Sequence, residues 1–147
     1  MSLNYNSKGY LHETISLNYE EFVQHFGTNQ RRMEQIQNSL PYFHIFKSSG
    51  CQIVYVDGSF VSKKKYPEDI DICFDITGIS EERIKSVFPK FWDINERGRI
   101  RRDLKCHIFT FTQEDTESFD LLSTDRDYNP KGLIILDLNE IQNYAQK

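Results

Sequence analysis

Apolar residues recur along this chain at two spacings, and the change from one to the other marks out the elements. Phe22, Val23 and Phe26 fall at helical spacing. They follow Asn18, a residue type suited to an N-cap, and Glu20 and Glu21, whose charges suit a first turn. The stripe ends at Gly27. A second helix is expected from Thr28 or Asn29, with Met33, Ile36 and Leu40 on one face. It is expected to stop before Pro41, because proline lacks the N–H that a helix interior needs. Ser80 can cap a third helix running to about Phe88 and burying Ile84, Val87 and Phe88.

Elsewhere the period is two. Residues 53–56 form a β-branched run. In residues 69–76, Ile70, Ile72, Phe74 and Ile76 alternate with Asp69, Asp71, Cys73 and Asp75. That pattern puts one strand face in the core and leaves an acidic face open. Residues 106–111 and 132–138 read as further strands, and residues 91–95 as a short one. Residues 99–103 fit either a helix or a hairpin. Residues 1–16 show no period and are expected to be irregular, and residues 139–146 are expected to form a short helix. Helices packed on a mixed β-sheet give a two-layer α/β (α+β) domain. No repeat, low-complexity tract or Pro/Gly/Ser-rich linker divides it, so residues 1–147 are expected to be one domain.

Composition narrows the class. With 147 residues, 38% hydrophobic, 11 Phe and 8 Tyr, the chain can build a core without disulfide support. Cys51, Cys73 and Cys106 are odd in number and form no C-x-x-C pair, so neither a zinc ribbon nor a disulfide framework is supported. Free thiols fit a reducing compartment, so the expected location is cytoplasmic. No apolar run approaches the roughly 20 residues needed to span a bilayer, and the polar start lacks a signal-peptide stretch. The net charge of −4 gives no general attraction to nucleic acid or to anionic membranes. Two local basic groups stand out against it. One is Lys63-Lys64-Lys65. The other is Arg97, Arg99, Arg101, Arg102 and Lys105, which could meet an RNA or the phosphate of a second substrate.

The chemistry concentrates between residues 54 and 75. Asp69 and Asp71 are one residue apart at the head of a strand, so they project side by side. Two like charges on one face are unfavourable without a cation. Carboxylates on a rigid strand are hard oxygen ligands for Mg²⁺ or Mn²⁺. Gly58 and Ser59 end the preceding strand. Gly58 lets a phosphate approach the backbone and Ser59 adds a hydroxyl donor. Lys63 and Lys65, in the loop between the two motifs, are candidates to screen a triphosphate.

Gly58-Ser59, nine intervening residues, and Asp69-Ile70-Asp71 resemble the signature of the polymerase-beta-like nucleotidyltransferase superfamily. The segment from Asn129-Pro130-Lys131-Gly132 to Asp137 looks like the end of a small, poorly characterised bacterial branch of it. The resemblance implies a Gly-Ser helix start, an Asp-x-Asp strand and a third acid on a later strand. Two departures stand out. Asp57 occupies a place often held by a second glycine, where its charge should repel a triphosphate unless a metal or a lysine neutralises it. His107 occupies the face where the third acid is expected, with Cys106 and Ile108 turned to the core. Histidine is a poor partner for Mg²⁺ but a competent base near neutral pH. Asp75 and Asp103 are less well-placed substitutes.

The resemblance therefore implies a metal-dependent nucleotidyltransferase that moves a nucleoside monophosphate from a nucleoside triphosphate to an acceptor hydroxyl. Asp69 and Asp71 would hold the metal, Gly58 and Ser59 the β- and γ-phosphates, and His107 would be a third working group. The acceptor could be a protein side chain, an RNA end or a small molecule. Small members of the superfamily often work beside a separate helical protein, which makes such a partner an expectation by analogy. The competing expectation is a catalytically degenerate nucleotidyltransferase fold that binds a nucleotide or another protein. A two-carboxylate metal-dependent hydrolase is a third.

Overall fold

The helices begin where polar side chains can satisfy their first N–H groups. In the computed structural model, which describes residues 3–114, 131–139 and 141, Asn18 caps helix α1 (Tyr19–Phe26). The Asn18 side chain accepts from Glu21 N–H, and the Glu21 side chain accepts in return from Asn18 N–H. Asn29 caps α2 (Gln30–Ser48), Ser80 caps α3 (Glu81–Val87) and Asp93 caps α4 (Ile94–Leu104).

Five strands form one mixed sheet in the order β1-β5-β2-β3-β4. They are β1 (Ile15–Leu17), β2 (Ile53–Asp57), β3 (Ile70–Asp75), β4 (Cys106–Phe111) and β5 (Ile134–Asp137). β2 is antiparallel to β3 and β5, while β1–β5 and β3–β4 are parallel. Val54, Val56, Ile70, Ile72, Phe74, Cys106, Ile108, Ile134 and Leu136 are all buried. Their alternation turns one sheet face to α1 and α2, giving the two-layer α+β domain.

Several local expectations need correction. α2 does not stop at Pro41 but runs through it to Ser48. Proline inside a helix costs about 3 kcal/mol, but the turns beyond it bury Tyr42, Phe43 and Phe46, each worth roughly 1.5–3 kcal/mol. Phe46 lies flat on Phe74 at 3.9 Å between ring centroids. Residues 91–95 are not a strand. Phe91 is buried edge-on against Phe46, and Asp93 then starts α4, which takes in residues 99–103. Residues 1–16 are not wholly irregular, since Ile15 and Ser16 belong to β1, an edge strand too short to show a period. The acidic face of β3 is not open along its length either. Cys73 is buried, flanked in register by Tyr55 and Phe109. The expected helix over residues 139–146 falls largely outside the described residues.

Candidate metal and phosphate site

Register sets Asp57, Asp71 and His107 side by side across β2, β3 and β4. Directly paired strand residues share a face, so these three form one polar row on the side away from the helices. Asp69 joins them from the start of β3. One donor atom from each of Asp69, Asp71 and His107 lies within 4.8 Å of the other two, and all three residues are half-buried. His107 Nδ1 is 3.3 Å from Asp71 Oδ1. Even so, Asp71 Oδ1 is buried and accepts no hydrogen bond from any described residue. A buried carboxylate oxygen left in that state is costly, and a cation between the three donors would relieve it. The donor set fits a divalent ion. Two carboxylates offer hard oxygens suited to Mg²⁺, and the imidazole is better matched to Mn²⁺ or a later metal.

The turn after β2 is shaped around the same carboxylate. Gly58 has φ +78°, and a Cβ there would overlap the Asp71 carboxylate. Residues Gly58–Val61 form a single 3-10 turn, not the α-helix that the resemblance implies. Ser59 is half-buried within it, and its carbonyl accepts from Ser62 N–H and Oγ–H at 3.2 and 2.6 Å.

The first turns of α2 hold this loop in place. Buried Arg32 donates to the carbonyls of Phe26, Phe60, Ser62 and Lys64. Burial pushes its pKa down, yet an arginine remains charged and so keeps all four carbonyls satisfied. Arg31 and Gln35 both donate to Pro67 O, at 3.0 and 2.9 Å, just ahead of Asp69. The loop from Gly58 to Asp69 is thus tied to one helix at both ends.

Asp57, the residue out of keeping with the resemblance, is buried against Lys131, with Nζ 3.0 Å from Oδ1. Burial raises the Asp57 pKa, while Lys131 and the Gly58 N–H draw it back down. The neutralising lysine comes from the segment before β5, not from the Lys63–Lys65 run.

The other candidates lie apart. Lys63, Lys64 and Lys65 are exposed, with Lys63 Nζ over the Tyr5 ring and Lys65 Nζ over Tyr66. The Asp75 carboxylate accepts from Thr77 and Gln113 at the far end of β3. Asp103 pairs with Arg102 at the surface. Within the arginine cluster, Arg97 lies over the Phe91 ring and Arg99 pairs with Glu96. Arg101 instead reaches Asp69, Nε to Oδ2 at 2.9 Å. With Arg102 and Lys105 it faces Arg31 across an open cleft of about 490 Å³ that borders Asp69. The three cysteines are buried thiols. Burial pushes the Cys51 and Cys106 thiols up to about 12, which keeps them protonated and unreactive.

A profile of a family of unknown function, DUF6932, matches residues 3–137. The chain belongs to DUF6932. Neither the curated proteins nor the solved structures gave a match. The DUF6932 match includes every residue of the row, together with Gly58, Ser59, Lys131 and the cleft. No helix among the described residues is long and apolar enough to cross a membrane.

Sequence reasoning passed over Lys131, Arg31 and Arg32. Lys131 stood in a quoted motif, but nothing in the sequence linked it to Asp57. Arg31 and Arg32 sit at the start of an expected helix, where basic residues ordinarily face solvent.

Proposed function

We propose that this chain is a divalent-metal-dependent nucleotidyltransferase of the polymerase-beta-like kind. The observation that carries this reading is the convergence of Asp69, Asp71 and His107 beside the positive-φ turn at Gly58. Asp69 and Asp71 hold Mg²⁺ or Mn²⁺, which when bound neutralises triphosphate charge and polarises the reacting phosphate. The Gly58-Ser59 turn receives the β- and γ-phosphates through backbone N–H groups and the Ser59 hydroxyl. Lys131 keeps Asp57 from repelling them. The acceptor oxygen bonds to the α-phosphorus, the bond from that phosphorus to the bridging oxygen breaks, and pyrophosphate departs. The acceptor proton passes to the His107 imidazole.

The test is thermal stabilisation by ATP and GTP, each with and without Mg²⁺ or Mn²⁺, in the wild type and in Asp69→Ala/Asp71→Ala. A ligand that binds the folded state alone raises its stability by mass action. The expected result is a metal-dependent rise that the double variant loses. No shift with any nucleotide, or an equal shift in the variant, would overturn the site.

His107 in the place of a third acid supports a second reading, a nucleotide-binding module without turnover. His107→Asp separates the two. Transfer activity created or strongly raised by the substitution marks a degenerate enzyme. Loss of an existing activity marks His107 as a working group.

A further inference from the structure

Asp69 and Asp71 converge with His107, but each also has a neighbour of its own outside that group. Asp71 packs against Gly58, whereas Asp69 pairs with Arg101 at the edge of the cleft. Gly58 and Ser59 do not line that cleft. Asp69 therefore also borders a second region, apart from the glycine turn, between the start of α2 and the end of α4.

This second region is cationic in a chain of net charge −4. Arg31, Arg101, Arg102 and Lys105 line it, against the acids Glu68 and Asp69. Arg31 is anchored at Nε by the Pro67 carbonyl, which leaves its terminal nitrogens without a hydrogen bond to any described residue. Arg101 and Arg102 are half or more exposed, and their present partners are the half-buried Asp69 and the exposed Asp103. Such exposed pairs are worth about 0–1 kcal/mol, so they yield readily to a bidentate phosphate, which guanidinium groups match in shape and charge. Lys105 holds φ +59° at the C-cap of α4, a conformation that normally belongs to glycine. The chain keeps a cation at this wall in spite of the backbone strain. Among the described residues no aromatic ring lines the cleft, so what these residues offer a ligand is charge for a phosphate and not the stacking platform that non-specific single-strand binders use.

We infer that this cleft is the acceptor subsite, and that it takes a phosphorylated acceptor, gripped by its phosphate with a hydroxyl directed toward Asp69. The assignment of the acceptor role rests on the nucleotidyltransferase reading, but phosphate binding in the cleft does not. A sugar phosphate and the end of an oligonucleotide share this chemistry.

The test uses the whole chain without metal, so that it stands apart from the carboxylate site. Two probes are titrated: ribose 5-phosphate by calorimetry and a fluorescein-labelled octaribonucleotide by anisotropy. The variants are Lys105→Gly and Arg102→Gln, with Lys85→Gln on α3 as a control for general charge. Lys105→Gly relieves the positive φ, so it should melt no lower than the wild type while losing the cation. The expected result is about fivefold weaker binding of at least one probe in each cleft variant. The control is expected to stay unchanged. For the oligonucleotide, the salt dependence should fall by about one unit of slope per cation removed. Binding of the sugar phosphate alone assigns a small acceptor, and binding of the oligonucleotide alone assigns a nucleic-acid end. No binding of either probe, equal affinity in the cleft variants, or an equal loss in Lys85→Gln would overturn the subsite. Phosphate binding in the cleft of a wild type that shows no metal-dependent stabilisation by nucleotide would sink the transferase reading and leave the cleft standing.

Discussion

Asp57 and Asp71 are direct neighbours across β2 and β3, yet they occupy opposite electrostatic situations. Asp57 is enclosed and already has its cation, Lys131, at 3.0 Å. The buried Oδ1 of each carboxylate meets an ion-pair partner without a well-formed hydrogen bond, but for Asp71 that partner is the His107 imidazole, charged only when protonated, and Asp69 stands beside it. Motif matching cannot tell two such carboxylates apart. What distinguishes them is whether the fold supplies a permanent positive charge, and that decides which of them is left for a metal.

Breaking the closed half should have the largest effect. Lys131→Met would strand a buried carboxylate and cost about 3 kcal/mol at neutral pH, measurable by chemical denaturation. The Asp57 pKa is already raised in the folded state, and losing the lysine raises it further. A group with a raised folded pKa adds stability as pH falls through that pKa toward the unfolded value, and loses it as pH rises. The deficit of Lys131→Met should therefore shrink between neutral pH and about pH 4. A deficit that stays constant over this range would show that Asp57 does not depend on the lysine.

Gly58→Ala acts on the boundary between the halves. The positive φ alone should cost about 1–2 kcal/mol, and the new Cβ must displace the Asp71 carboxylate. Metal-dependent stabilisation should disappear along with that stability. Asp71→Asn sharpens the contrast because its two readouts move in opposite directions. Removing one of two facing like charges should raise metal-free stability by up to about 1 kcal/mol, while the response to Mg²⁺ or Mn²⁺ is lost. An Asp71→Asn protein that melts lower and still responds to metal would contradict the open half as drawn. The smallest effect belongs to Asp75→Ala, farther along the same strand. It should cost about 1 kcal/mol or less through the lost Thr77 and Gln113 contacts and leave the metal response untouched.

The sequence revealed the elements whose information is local. Period-two runs marked β2 to β5, and Asn18, Ser80 and the turn at Gly27 bounded two helices. The carboxylate pair and the inward turn of Cys106 beside His107 were legible for the same reason, since strand alternation is a short-range rule. The errors arose where a distant surface outweighed a local preference. Pro41 is carried through α2 by aromatic packing on Phe74, and Phe91 is drawn into the core by Phe46. β1 owes its strand pairing to β5, which lies more than a hundred residues later. In the site, Lys131 and Arg31 were invisible because their partners, Asp57 and the carbonyl of Pro67, are remote in sequence. No local rule reports that a surface-type residue has been turned inward.

The strand order carries a consequence for how the protein comes into being. β5 emerges last from the ribosome but lies between β1 and β2. Until it arrives, the N-terminal strand has no neighbour and β2 presents a bare edge. The lysine that neutralises Asp57 arrives with it. A nascent chain can therefore assemble β2, β3, β4 and the Asp69, Asp71 and His107 group while the Gly58 turn still sits beside an uncompensated charge. The candidate metal carboxylates precede β5 in synthesis, and the lysine that sets the charge beside them comes only with it.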